Sequence, residues 1–138
     1  MGINKGHFFP YEINAKQYFA DNLLYQLVGE KTESKNVNQK TRTIQKNYKQ
    51  AFDPEYDDLS RLHYLCRTRK ALTILEFGVG KSTLILADAL SKNKDEIDNN
   101  EIKEIRRNDM YKVYSVDASK KWIKTTRTEI KRQRRLDC

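Results

Sequence analysis

"ALTILEFGVGKST", residues 71–83, decides how this chain folds. Its first half, "ALTILEF", is apolar on both faces except at Thr73 and Glu76, the pattern of a central parallel strand covered by helices on both sides. Gly78 and Gly80 follow at once. "KSTLILADALSK" then places Leu84, Ile85, Ala87, Ala89 and Leu90 at helical spacing, which suits a helix packed on that strand. The order is strand, glycine turn, helix. Further on, "YKVYSVD" alternates into a second strand that ends at Asp117.

Working outward, "NAKQYFADNLLYQLVGE" reads as one helix capped by Asn14 and ended by Gly29. Its broad apolar face holds Phe19, Leu23, Leu27, Tyr18, Leu24 and Val28. Residues 31–50 hold six Lys or Arg against one Glu and few apolar groups, as a basic linker does. "FDPEYDDLSRLHYLCRTRK" opens a further helix, with Asp53 as cap, Pro54 at the first helical position and acids in the first turn. Its apolar face is read as Tyr56, Leu59, Leu62 and Cys66, with His63 structural or partly exposed. Residues 92–110 mix six acids with five bases and read as a solvated insertion. "ASKKWIKTTRTEIKRQRRLDC" closes the chain as a basic helix.

Composition sets the outer limits. At 138 residues, with 38% hydrophobic and 33% charged residues and a net charge of +8, the chain can bury one modest core. No stretch approaches a membrane span, Gly2 lacks the hydroxyl residue a myristoylation signal needs at position 6, and a cytoplasmic location is expected. Cys66 and Cys138 are too few for a disulfide framework or metal cluster, and His7 carries no signal.

The glycine turn admits three chemistries. A phosphate-binding loop, G-x-x-x-x-G-K-[ST], needs its first glycine at position 75, which is Leu75, and Glu76 would repel a triphosphate. The dinucleotide pattern G-x-G-x-x-G meets Thr83 where its third glycine belongs. E-x-G-x-G-x-S is met by Glu76, Gly78, Gly80 and Ser82. Glycines let a backbone approach a ligand, and an acidic strand end suits a sulfonium with an ammonium group better than phosphates.

On these residues the chain resembles the class I S-adenosylmethionine-dependent methyltransferases over about residues 55–130, in the order helix, "ILEFGVGKST", helix, "VYSVDASKKW", helix. The resemblance implies an α/β fold: an incomplete Rossmann-like sheet with two clear parallel strands and an N-terminal helical extension. Residues 1–52 would be that extension with its basic linker. Residues 53–138 would be the N-terminal portion of the cofactor domain, with the charged insertion at about 92–110.

It further implies S-adenosylmethionine as cofactor. Glu76, Gly78 and Gly80 would lie at its methionine part, with Ser82 closing the same cofactor-binding turn, Asp117 at the ribose and Ala118 against the adenine. The enzyme would be a methyltransferase of which these residues alone are inactive, since the family sheet has seven strands. Gly80 to Asp117 spans 37 residues where about 20 are usual, a surplus the insertion accounts for. No residue is assigned as catalytic base, no metal is implied and the methyl acceptor is open.

Plainer roles stand beside each of these. Glu76 can satisfy nearby N–H groups, Asp117 can cap the last helix alongside Ser119, Lys81 can face solvent, and Trp122 can be a packing anchor. A phosphate-loop ATPase is the alternative enzyme, with "VYSVD" as its metal-positioning strand. A third reading is a basic nucleic-acid-binding module: residues 119–138 hold eight Lys or Arg and two acids, enough for weak, sequence-indifferent phosphate contacts.

Overall fold

A computed structural model describes residues 14–29, 54–106 and 108–136. The linker expected at 31–50, the Asp53 cap, Gly2, His7 and Cys138 lie outside the described residues. The order is α1 (Ala15–Asp21), α2 (Tyr25–Val28), α3 (Tyr56–Thr68), β1 (Thr73–Phe77), α4 (Lys81–Glu96), α5 (Asn99–Glu104), β2 (Lys112–Val116) and α6 (Lys120–Leu136). The strands pair in parallel, Ile74 opposite Val113 and Phe77 opposite Val116. Two parallel strands joined through helices make this an α/β arrangement. At its centre is α4, which touches α2, α3, α6 and both strands.

The N-terminal segment departs from the single helix expected. Asn14 caps it, its side chain accepting from Lys16 N at 2.9 Å, and Gly29 ends it at φ 74°. Between them the helix breaks at Leu23, which adopts φ 58° and is 66% exposed. Leu24 is thereby swung fully into the core, and its N–H donates to Phe19 O at 2.9 Å. A left-handed leucine is unfavourable by about 1–2 kcal/mol, of the order that burying a leucine side chain offsets. The core so formed joins Tyr18, Phe19, Leu24 and Val28 to Leu59 and Ile85, with Phe19, Tyr25 and Tyr56 ring to ring at 5.0–5.5 Å.

Helix α3 begins at Tyr56, so Pro54 precedes it and Glu55 occupies the cap position without a side-chain capping hydrogen bond. Its buried stripe is also turned from the one expected. Leu59, Ser60 and His63 face inward, while Leu62 is 38% exposed. The cause is a buried polar chain across three helices. Tyr18 Oη lies 2.7 Å from His63 Nδ1, and His63 Nε2 lies 2.8 Å from Asp88 Oδ2. With Nε2–H donating to the carboxylate, Nδ1 of the neutral tautomer accepts the Tyr18 hydroxyl. Burial pushes that hydroxyl up to about 12, against the lowering pull of Arg67, so it stays a donor. Cys66 is half-buried, and burial pushes its thiol up, away from reactivity.

Two further expectations are corrected. The insertion expected from residue 92 is helical up to Glu96, because Asn93 is buried and ties α4 to the end of α3: it donates to Cys66 O and Ala71 O and accepts from Arg67 at 2.6 Å. The short α5 beyond it has no buried residue. The strand expected to be covered on both sides is covered on one among the described residues. Ile74, Glu76, Val113 and Ser115 form the partly buried face, and α4 packs on the sheet, whereas Leu75 (61%), Phe77 (82%), Tyr114 and Val116 are exposed on the other.

The polar chain sets a stability test. His63→Ala should cost about 2–4 kcal/mol in urea unfolding, since it removes the buried hydrogen bonds that Tyr18 and Asp88 make to the imidazole, and Leu62→Ala less than about 1 kcal/mol. Burial alone would raise the Asp88 carboxyl, but hydrogen bonds from His63 and Lys92 outweigh it and hold the group below its usual range. Asp88 therefore adds stability above the unfolded carboxylate value near 4, lost as pH falls through the lower folded value. Asp88→Asn should flatten that acid limb in a pH series of melts.

Candidate functional site

The glycine turn leaves the C-terminal end of β1, where ligands bind in open parallel sheets. Gly78 takes φ 99°, a conformation that side chains resist, and its N–H donates to Val116 O at 2.7 Å. Val79 N donates to Asp117 Oδ2 at 2.9 Å, and Gly80 N to Thr83 Oγ1 at 3.1 Å. All three turn N–H groups are thus engaged within the chain. Gly80 differs from Gly78 in its backbone, since its φ of 169° is open to any residue; at both glycines an added Cβ would have no heavy atom within 4 Å.

Under the turn lies Glu76. Its carboxylate accepts from Ser82 Oγ, from Thr83 Oγ1 at 2.6 Å and from Ser115 Oγ at 2.8 Å. Thr83 is buried and relays, accepting from Gly80 N while donating to Glu76. A carboxylate beneath the first turn of α4 is favoured by that helix's dipole. Asp117, one residue past β2, mirrors it by bonding Val79 N and, through Oδ1, Ser119 N at 2.6 Å. Both carboxylates sit at adjacent strand ends, half-buried, with more lone pairs than these bonds use.

Sequence reasoning thus gathers Glu76, Gly78, Gly80, Ser82 and Asp117 at one end of the sheet, with Ala118 exposed beside them. It missed Thr83 and Ser115 as partners of Glu76. The strand register carried that signal, since Ser115 pairs directly with Glu76 and is the polar residue on β2's inner face. Lys81 does not face solvent alone: its Nζ donates to Val28 O at 3.1 Å, closing the end of α2. Trp122 is half-buried, with Lys121 Nζ 5.2 Å from the ring centroid. Among the described residues, no three His, Cys, Asp or Glu side chains gather as a metal site would need.

A cleft of about 520 Å³ opens elsewhere, among Arg67, Lys70, Leu72, Glu101 and Tyr111. Leu72 and Tyr111 precede the two strands, so this cleft is at the N-terminal end of the sheet. Ligand sites of open parallel sheets lie at the opposite end. Among the described residues no helix is long and apolar enough to cross a membrane. Comparison of the chain with protein-family models, with curated proteins and with solved structures finds no match.

The two glycines separate in a stability measurement. Gly78→Ala should destabilise by about 1–2 kcal/mol because a Cβ is strained at that φ, whereas Gly80→Ala should stay within about 0.5 kcal/mol. Thermal or urea melts of both variants read the difference.

Proposed function

We propose that the turn from Glu76 to Ser82 binds S-adenosylmethionine, and that the chain belongs to a methyltransferase with a Rossmann-like sheet. The observation that carries this is Gly80. Neither its backbone angles nor any neighbouring atom of the chain requires glycine, and its missing Cβ would point into open space at the C-terminal end of the strands. Close approach of a ligand supplies the missing reason. Two half-buried carboxylates, Glu76 and Asp117, lie at that same end of the sheet, which favours a cationic ligand with ribose hydroxyls to donate.

The engaged N–H groups of Gly78, Val79 and Gly80 weigh against a phosphate ligand, which needs such groups free to wrap it. So does the position of Lys81 on Val28 O rather than over the turn.

In this reading S-adenosylmethionine supplies an activated methyl group. Glu76 and Asp117 do the orienting: Glu76 at the methionine end, Asp117 at the ribose, with Ala118 beside the base. Methyl transfer depends chiefly on holding donor and acceptor in line. The family sheet has seven strands, so the acceptor site and the cover for Leu75, Phe77, Tyr114 and Val116 fall to chain outside the described residues. Residues 1–138 alone should then lack transfer activity.

Calorimetry decides the ligand. S-adenosylmethionine should bind, and ATP with magnesium should not. Gly80→Leu should weaken S-adenosylmethionine at least tenfold while leaving the melting temperature near that of the parent. Tight, magnesium-dependent ATP binding lost in Lys81→Ala would overturn the proposal in favour of a phosphate-loop enzyme.

A further inference from the structure

Helix α6 starts three residues after Asp117 and carries its charge asymmetrically. Lys120, Lys124, Arg127 and Lys131 follow at steps of four, three and four, which at 3.6 residues per turn places them within about 60° of arc on the helix surface. All four are exposed, and among the described residues none of these side chains makes an ion pair. The acid on the described part of the helix, Glu129, stands on another face and is spent on Arg132, which it holds at 2.6 Å. The stripe is about 16 Å long at 1.5 Å per residue, with no carboxylate in it.

Its placement also opposes the local physics of the helix. The first turn of α6 has no acidic residue and carries Lys120 and Lys121, where the positive end of the dipole favours acids. A free helix would be steadier with acids at those two positions. An anionic partner along this face removes that mismatch.

We propose that this stripe docks on the backbone of duplex DNA, without reading its sequence. An α-helix fits the major groove of B-form DNA, about 12 Å wide, whereas the A-form groove is too narrow to be entered. A single strand would call for exposed aromatic rings on which bases stack, and Trp122, the aromatic residue of α6, is half-buried with Lys121 beside it. A lipid surface would call for an apolar face turned outward beside the cations. Ile123, Thr126 and Ile130 are instead the half-buried to buried face of α6, which packs on α4. The inference is independent of what the glycine turn binds.

The test is fluorescence anisotropy of the full chain with a labelled 20-base-pair duplex across a salt series. Four phosphate contacts predict a slope of log K against log salt of about −3 to −4. Replacing Lys120, Lys124, Arg127 and Lys131 together by Gln, a comparable helix former, should remove most of that slope and weaken binding at least tenfold at about 50 mM salt. A control variant with Lys16, Lys94, Lys103 and Arg106 replaced by Gln has the same net charge and should keep most of both. Circular dichroism checks that each variant retains its helix. The proposal is overturned if the control loses as much as the stripe variant, if the duplex does not bind at low salt, or if single strands or anionic vesicles bind more tightly than the duplex.

Discussion

The carboxylate of Glu76 is the constraint around which this unit is arranged. It accepts hydroxyl hydrogens from Ser82 and Thr83 in the first turn of α4 and from Ser115 on β2, so one side chain of β1 binds the helix that follows and the strand that pairs with it. Three donors on one half-buried charge are enough to offset much of its desolvation, and the helix dipole adds to them. Register follows from the same contact. A slip of one residue between the strands would carry Ser115 to the opposite face and leave Glu76 short of a partner.

The turn above that carboxylate has few donors left to offer. Its N–H groups are already donated to Val116, Asp117 and Thr83, so an incoming phosphate would have to displace bonds as well as approach a negative charge. Carboxylate lone pairs and the bare Cα of Gly80 are what remains available. A cationic ligand rich in hydroxyl donors meets both.

Local signals made the βαβ path legible in the sequence: an apolar run, two glycines, an amphipathic helix and an alternating strand each point to one element. Asn14 and Gly29 likewise mark the ends of their segment because capping is decided within a few residues. What escaped depends on contacts between distant residues. The phase of α3 is set by His63 meeting Tyr18 and Asp88 from two other helices, and no periodicity count distinguishes that histidine from a surface one. The break at Leu23 follows from the core's need for Leu24, and the length of α4 from Asn93 closing the end of α3. In the site, the acids and glycines were legible as a motif, whereas Thr83 and Ser115 required the register of a pairing not yet known.

Lys81 stands in part of a phosphate-loop pattern while its side chain is engaged elsewhere. Following a glycine and preceding a serine, it stands where a phosphate-loop lysine would stand. Yet its ammonium reaches across to the last carbonyl of α2, and Tyr56 bonds the next carbonyl, that of Gly29, at 3.2 Å. Helix C-termini attract such cations because their carbonyls are left without internal partners. One ammonium cannot satisfy that carbonyl and cover a triphosphate. The bond it does make ties the N-terminal helices to the first residue of α4, immediately after Gly80. The position of α1 and α2 is held on α4 by Lys81, by Lys92 on Asn22 O at 2.7 Å and by the Tyr18–His63–Asp88 chain, and of these ties Lys81 is the one that adjoins the glycine turn.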